Sequence, residues 1–162
     1  MTQWLPSAPV DIEEVGLADV DALADLHADA FHRGWSAEEM EGLMSASGVF
    51  VLAARRRPMF GPRHLVGFVL VRVAADEAEI LTLAVDPRYR RRGIGRRLME
   101  TALRRLYGEH VRAAFLEVEE DNVPALRLYH RLRFRTVATR QGYYTSGGGP
   151  PSTALVMQAH LR

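Results

Sequence analysis

The chain has no cysteine and no lysine: all 21 of its basic residues are arginine. Without cysteine there are no disulfides, no thiolate metal sites and no acyl-cysteine intermediate. Without lysine there is no Schiff-base chemistry, and every basic side chain is a planar, permanently charged fork suited to phosphate. Long apolar runs are missing too, since no stretch approaches the ~20 residues of a membrane span. The opening Met1-Thr2-Gln3-Trp4-Leu5-Pro6 lacks the basic-then-apolar layout of a signal peptide, so a cytoplasmic protein that does not enter membranes is expected. The six histidines stand at no ligand spacing with a carboxylate partner, so no metal is expected.

What is present is enough for a core. With 162 residues, 48% of them hydrophobic, the chain is expected to form one domain, residues 1–162. Its net charge of +1 hides an asymmetry: residues 1–50 carry ten acids against Arg33 alone, about −9, and residues 51–162 about +10. Such regions sort ligands by sign, an anion to the second part and a cation to the first, unless they are ordinary solvated faces.

Val10–Val15 alternates like a strand, and Leu17–Phe31 carries Val20, Leu23, Leu26 and Ala30 at helical spacing. Ser36 before Ala37-Glu38-Glu39 is a helix N-cap, predicting a second helix to about Ala46. Three strands follow, Val49–Ala54, Leu65–Ala74 and Glu79–Val85, divided by Pro58, Gly61-Pro62 and Asp76-Glu77. Ile94, Leu98, Ala102 and Leu106 mark a helix ending near Gly108, and Ala113–Glu119 reads as a strand. Asn122 caps a further helix with Pro124 in its first turn, and strands at Arg135–Tyr144 and Thr153–His160 flank a loop at Ser146–Pro151. The order strand, two helices, three strands, helix, strand, helix, two strands predicts an α/β domain with a mixed sheet.

The most informative segment runs from Ile80 through Asp86-Pro87 to Arg97, a strand, a turn and a helix start. Gly93 and Gly95 allow close backbone approach to a bulky anion, and the helix behind them offers bare N–H groups and its positive end. Six of the ten residues from Arg88 to Arg97 are arginine, adding forked donors for phosphate oxygens. The spacing fits neither a dinucleotide-binding Gly-x-Gly-x-x-Gly loop nor a nucleotide-hydrolysing Gly-Lys-Ser/Thr loop, so a dehydrogenase or ATPase is disfavoured. The bland reading is a helix start with a solvated basic face.

Here the chain resembles the GCN5-related N-acetyltransferase (GNAT) superfamily, whose signature Gln/Arg-x-x-Gly-x-Gly/Ala is matched by Arg90-Arg91-Arg92-Gly93-Ile94-Gly95. Within it the chain is most similar to the ribosomal-protein alanine N-acetyltransferases, through Leu83–Pro87, Leu116-Glu117-Val118, Asn122, Leu128–Phe134 and Tyr143-Tyr144. The resemblance implies an acyl-CoA N-acyltransferase fold: a mostly antiparallel seven-stranded sheet with four helices. It also implies acetyl-CoA as cosubstrate, with pantetheine along Leu83, Ala84 and Val85, diphosphate on Arg91, Arg92, Gly93, Ile94, Gly95 and Arg96, and Asn122 on the pantetheine arm. By the same carry-over Glu117 is the proton acceptor, Tyr129 the proton donor and the Val85 N–H the group that polarises the carbonyl.

The residues themselves support and qualify these roles. Glu117 interrupts an apolar strand, where partial burial would raise its pKa toward neutrality, though it reads equally as an outward residue. Tyr129 shares a face with Ala125 and Leu132, where core is the ordinary reading, and Asn122 is foremost a cap. Two departures stand out: Arg133 replaces the usual glycine before Phe134, which is expected to reshape that turn, and His32-Arg33-Gly34-Trp35-Ser36 replaces a shorter link. That loop is expected to border the acceptor, with Trp35 a surface plug in the alternative.

The function expected is acetyl transfer to a protein N-terminal α-amine. The alternatives are transfer to a small amine and a non-catalytic acyl-CoA sensor. A nucleic-acid module is disfavoured because aromatics do not interleave the arginines as a stacking platform requires. Oligomeric state is not legible.

Overall fold

A computed structural model describes residues 9–142 and 152–162. The elements are β1 (Val10–Val15), a 3-10 turn (Leu17–Asp19), α1 (Val20–Ala30), α2 (Ala37–Met44), β2 (Val49–Arg56), β3 (His64–Ala74) and β4 (Glu77–Val85). A second 3-10 turn (Pro87–Tyr89) precedes α3 (Ile94–Gly108), β5 (Ala113–Glu119), α4 (Val123–Arg131), β6 (Arg135–Gln141) and β7 (Thr153–His160). The order is the one read from periodicity, and the strands form one seven-stranded sheet, β1-β2-β3-β4-β5-β7-β6. It is mixed: β1/β2, β5/β7 and β6/β7 are antiparallel and β4/β5 parallel.

Differences are local. The expected helix over Leu17–Phe31 is divided, because Asp19 at φ −101°, ψ 4° leaves the α region between the 3-10 turn and α1. The second helix stops at Met44 rather than Ala46, and β4 begins at Glu77, inside the expected turn. The turn itself is made at Ala75, φ +54°. Tyr143, Tyr144 and the Ser146–Pro151 loop lie outside the described residues.

The chain divides into two compact units, Met1–Leu70 with Leu83–Met99, and Val71–Thr82 with Glu100–Arg162. In the first, α1 buries Leu23, Leu26 and His27, the three- and four-residue spacing of one helical face. Ser36 Oγ accepts from the Glu39 N–H at 3.1 Å, capping α2, and Met40 is that helix's buried residue. The apolar runs of β2 and β3 are buried continuously from Phe50 to Ala54 and from Val66 to Leu70. Gly67 is required in β3: a Cβ there would meet the Ala84 carbonyl oxygen at 3.1 Å and Ile94 and Leu98 side chains at 3.2 Å. Its bareness lets α3 close on β3 beside β4. Leu98, fully buried, contributes enough that truncation to alanine costs about 2–5 kcal/mol.

The charge asymmetry is partly cancelled inside this unit. Arg55 pairs with Glu13 (2.7 Å) and Asp19 (2.6 Å), Arg57 with Asp11 (2.7 Å), and Arg63 reaches Asp11 and Glu13. Three acids of the acidic third are therefore neutralised by arginines of the basic remainder, so the two signs are not segregated as the sequence count implied.

In the second unit, β5 pairs with β7 along its whole length, Ala113↔His160 to Glu119↔Ala154. The β4/β5 register runs from Glu77↔Ala113 to Ile80↔Leu116, while β4 continues to Val85. Ile80, Leu106, Leu116, Phe134 and Met157 supply the core. Among the described residues no helix is long and apolar enough to cross a membrane.

Candidate active site

In the first unit, β4 delivers the chain into the turn before α3. Along β4, Leu83 and Val85 are half-buried while Ala84 is buried, the alternation of a strand with one face inward. Asp86 locks the corner: its N–H donates to the Val66 carbonyl (2.8 Å) and its carbonyl accepts from the Tyr89 N–H (2.8 Å). Its carboxylate accepts from the Arg88 N–H (2.9 Å), Nε (3.2 Å) and Nη2 (2.8 Å). These bonds, the Arg88 guanidinium first, hold the Asp86 carboxyl below the usual carboxylate range. Arg88 is thus committed to the turn.

Beyond it, Arg91 and Gly93 both adopt left-handed backbone, φ +64° and +76°. This is natural for glycine and costly for arginine, about 1–2 kcal/mol. The first helical hydrogen bond of α3 runs from the Arg97 N–H to the Gly93 carbonyl (3.0 Å). The Ile94 and Gly95 amides lie ahead of it, at the helix's positive end. Ile94 buries its side chain, whereas Arg91, Arg92, Gly93 and Arg96 are exposed and Gly95 is half-buried. A Cβ on Gly93 would meet nothing within 4 Å, so the space over the turn is open. Tyr89, which sequence reasoning passed over, organises the guanidinium groups: Arg92 lies 5.1 Å and Arg56 5.6 Å from its ring centroid.

The second unit holds Glu117, Asn122 and Tyr129. Asn122 Oδ1 accepts from the Ala125 N–H at 3.3 Å, the cap expected of it. Tyr129 is buried on α4, its ring 5.9 Å from that of Phe134, and burial pushes its hydroxyl up to about 12. The phenol therefore keeps its proton at any physiological pH.

Glu117 takes the outward of its two expected readings. Its side chain is 43% exposed and pairs with Arg140 at 2.9 Å. The expected partial burial is not observed because β5 alternates: Leu116 and Val118 turn inward and Glu117 outward. Arg140 was invisible in the sequence, since its approach depends on β6 entering the sheet beyond β7.

At the turn into β6, Arg133 stands at φ +69°, in the left-handed region that glycine ordinarily fills. In the first unit, Gly34 packs so tightly on α1 that a Cβ would lie 2.5 Å from Ala28 Cα. Beside it the Trp35 N–H donates to His27 Nδ1 (3.1 Å), and the His27 ring stacks on Phe31 (4.4 Å) and Trp35 (4.3 Å). Trp35 is thus tied to α1 and half-buried. Burial lowers the His27 pKa, in keeping with a neutral ring whose Nδ1 accepts. Among the described residues no three His, Asp or Glu side chains gather as metal ligands.

The structure therefore brings Leu83–Val85, Arg91, Arg92, Gly93, Ile94, Gly95 and Arg96 onto one strand–turn–helix corner of the first unit. Glu117, Asn122 and Tyr129 belong to the second.

The chain is similar to known proteins. Over 85 residues the chain is 36% identical to the ribosomal protein bS18-alanine N-acetyltransferase of Escherichia coli (strain K12), covering 52% of this chain and 57% of that one. A putative enzyme of the same name from Bacillus subtilis is 26% identical over 147 residues, 90% of this chain and 92% of its own. The crystal structure of the E. coli ribosomal-protein-S18-alanine N-acetyltransferase superposes with a TM-score of 0.84 at 25% identity, covering 94% of each chain. Residues 20–134, which carry α1 through Phe134, match the model of one family. The chain belongs to the acetyltransferase (GNAT) family.

Proposed function

We propose that this chain transfers an acetyl group from acetyl-CoA directly to an amine, most specifically the N-terminal α-amine of a protein, in the cytoplasm and within one catalytic domain. The observation that carries the reading is the corner at Gly93. Left-handed backbone, open space where a side chain would stand, helix amides and exposed arginines meet there, and these are the groups a diphosphate needs. Support for the acceptor comes from the name of one relative, the ribosomal protein bS18-alanine N-acetyltransferase, which gives an alanine of a ribosomal protein as what that enzyme acetylates.

In this reading Arg91, Arg92, Arg96 and the Gly93–Gly95 amides hold the diphosphate, Leu83, Ala84 and Val85 the pantetheine backbone, and the Asn122 amide nitrogen the arm. The neutral amine attacks the thioester carbon and the C–S bond breaks. The amine's proton passes to Glu117, directly or through water, and Tyr129 gives its hydroxyl proton to the departing thiolate. The Val85 N–H steadies the carbonyl oxygen as charge develops. An α-amine with an unperturbed pKa of ~8, against ~10.4 for lysine, sheds its proton to a modest base. The exposure of Glu117 suits such a base in exchange with water.

Incubation with acetyl-CoA and peptides of varied N-termini, read by mass spectrometry, tests the proposal. Acetylation at the α-amine upholds it; transfer confined to internal lysines or small amines removes the acceptor, and no transfer to any amine removes the activity.

A further inference from the structure

The sheet ends at β6, and the register of that strand decides what it shows to Glu117. Residues paired across a sheet point to one face. Glu117 lies opposite Val156 and Val156 opposite Ala138; Glu119 lies opposite Ala154 and Ala154 opposite Arg140. This is the outward face, since Glu117 and Glu119 are exposed while Leu116 and Val118 are buried.

Arg140 stands on that face only because β6 carries a bulge. Thr136 lies opposite the buried Met157 and Ala138 opposite Val156, so Val137 is one residue too many for the ladder. In a regular strand every second residue shares a face, and Arg140 would then lie with Thr136 on the face of Met157 and Leu116. The inserted residue moves it across to Glu117, which is how bulges re-aim side chains.

From the row of Glu119 the Arg140 side chain reaches back to Glu117, Nη1 to Oε1 at 2.9 Å. With both side chains exposed, the pair adds little to stability. Its effect is on geometry. A glutamate at the surface has rotamer freedom to lose, and Glu119 presents a like charge two residues away on the same face. A cation held on Oε1 selects one arrangement of the carboxylate against that repulsion.

We propose that Arg140 is a positioning residue for acetyl transfer: turned onto the Glu117 face by the β6 bulge, its guanidinium holds Glu117 Oε1 and leaves Oε2 to accept the proton of the attacking amine. As the amine nitrogen bonds to the acetyl carbon and the C–S bond breaks, that proton passes to Oε2, and Arg140, always charged, neither gives nor takes one. The proposal rests on the reading of Glu117 as the proton acceptor.

The test is steady-state kinetics on the full chain with acetyl-CoA and its best amine acceptor, for wild type, Arg140→Gln, Arg140→Lys, Glu117→Gln and the Glu117→Gln/Arg140→Gln double variant. Arg140→Gln should lower kcat about tenfold, the scale of a misplaced catalytic group, with KM for acetyl-CoA unchanged. Arg140→Lys, which keeps the cation and loses the fork, should recover part of the rate. In the Glu117→Gln background Arg140→Gln should cost nothing further, because its effect runs through that carboxylate. A merely structural arginine would instead cost the same in both backgrounds, and that result overturns the proposal. So does an Arg140→Gln enzyme at the wild-type rate; if Glu117→Gln is impaired beside it, Glu117 remains the base. Full turnover by Glu117→Gln overturns the base reading and the positioning role together.

Discussion

The Phe134 N–H donates to the Tyr129 carbonyl at 2.9 Å while their rings stand 5.9 Å apart. With the Arg133 N–H on the His130 carbonyl at 3.0 Å, this is the paired-bond closure of a helix C-terminus in which the left-handed residue is ordinarily glycine. Here it is Arg133, φ +69°. The candidate proton donor is thus fixed at both ends, its ring by Phe134 and its carbonyl by the turn.

Arg133→Gly is expected to stabilise the fold by about 1 kcal/mol, because the left-handed strain on a residue with a Cβ exceeds the backbone entropy glycine loses. Urea denaturation measures it; a loss of stability would mean the arginine side chain contributes more than its backbone costs.

Tyr129→Phe is expected to keep the fold, since the ring still packs on Phe134, and to lower kcat about 10²-fold or more with little change in KM. With the hydroxyl pushed up to about 12, its ionisation contributes no limb to the rate profile at neutral pH. A phenol raised above its ordinary 10.0 favours the fold only while protonated, so stability from this group is lost as pH rises past 10. A Tyr129→Phe rate equal to wild type removes the donor role.

Glu117→Gln should lower kcat/KM about 10²-fold. Arg140→Gln should shift stability by less than about 1 kcal/mol, since the Arg140 side chain is 72% exposed and such pairs are weak. Steady-state kinetics and urea midpoints on the two variants separate the roles; a Glu117→Gln enzyme with full turnover would place the base elsewhere.

Two steps in acid stability follow from His27 and Asp86. The His27 pKa is lowered from 6.5 by burial, so the unfolded chain takes the proton first, and stability falls as pH drops from 6.5 toward the folded value. The Asp86 pKa is lowered from 3.8, chiefly by the Arg88 hydrogen bond. Its contribution is therefore whole above 3.8 and lost as pH falls through the lower folded value. Urea midpoints against pH should show both, with His27→Gln removing the first and Arg88→Ala weakening the second. A His27→Gln profile identical to wild type contradicts the first assignment.

Much of the fold was legible because strands and helices differ in period. Ala113–Glu119 and Thr153–His160 carry their bounds in their residues, and Ser36 and Asn122 announce the helices they cap. What stayed hidden was long-range. Arg140 meets Glu117 only because β7 lies between β5 and β6, and Arg56 meets Tyr89 only through the tertiary fold. Which way Glu117 points stayed open in the sequence because an apolar run does not say on which face its one charge lies. The left-handed turn at Arg133 was missed because the residue there is the one such a backbone disfavours.

The central claim is that the corner at Gly93 receives the diphosphate of coenzyme A, and titrating coenzyme A into wild type and Gly93→Val tests it most directly. Wild type should bind and the valine variant should lose more than about tenfold, because valine resists φ +76° and crowds the space a phosphate would occupy. A wild type that takes up no coenzyme A, or a folded variant that binds it as tightly, contradicts the account.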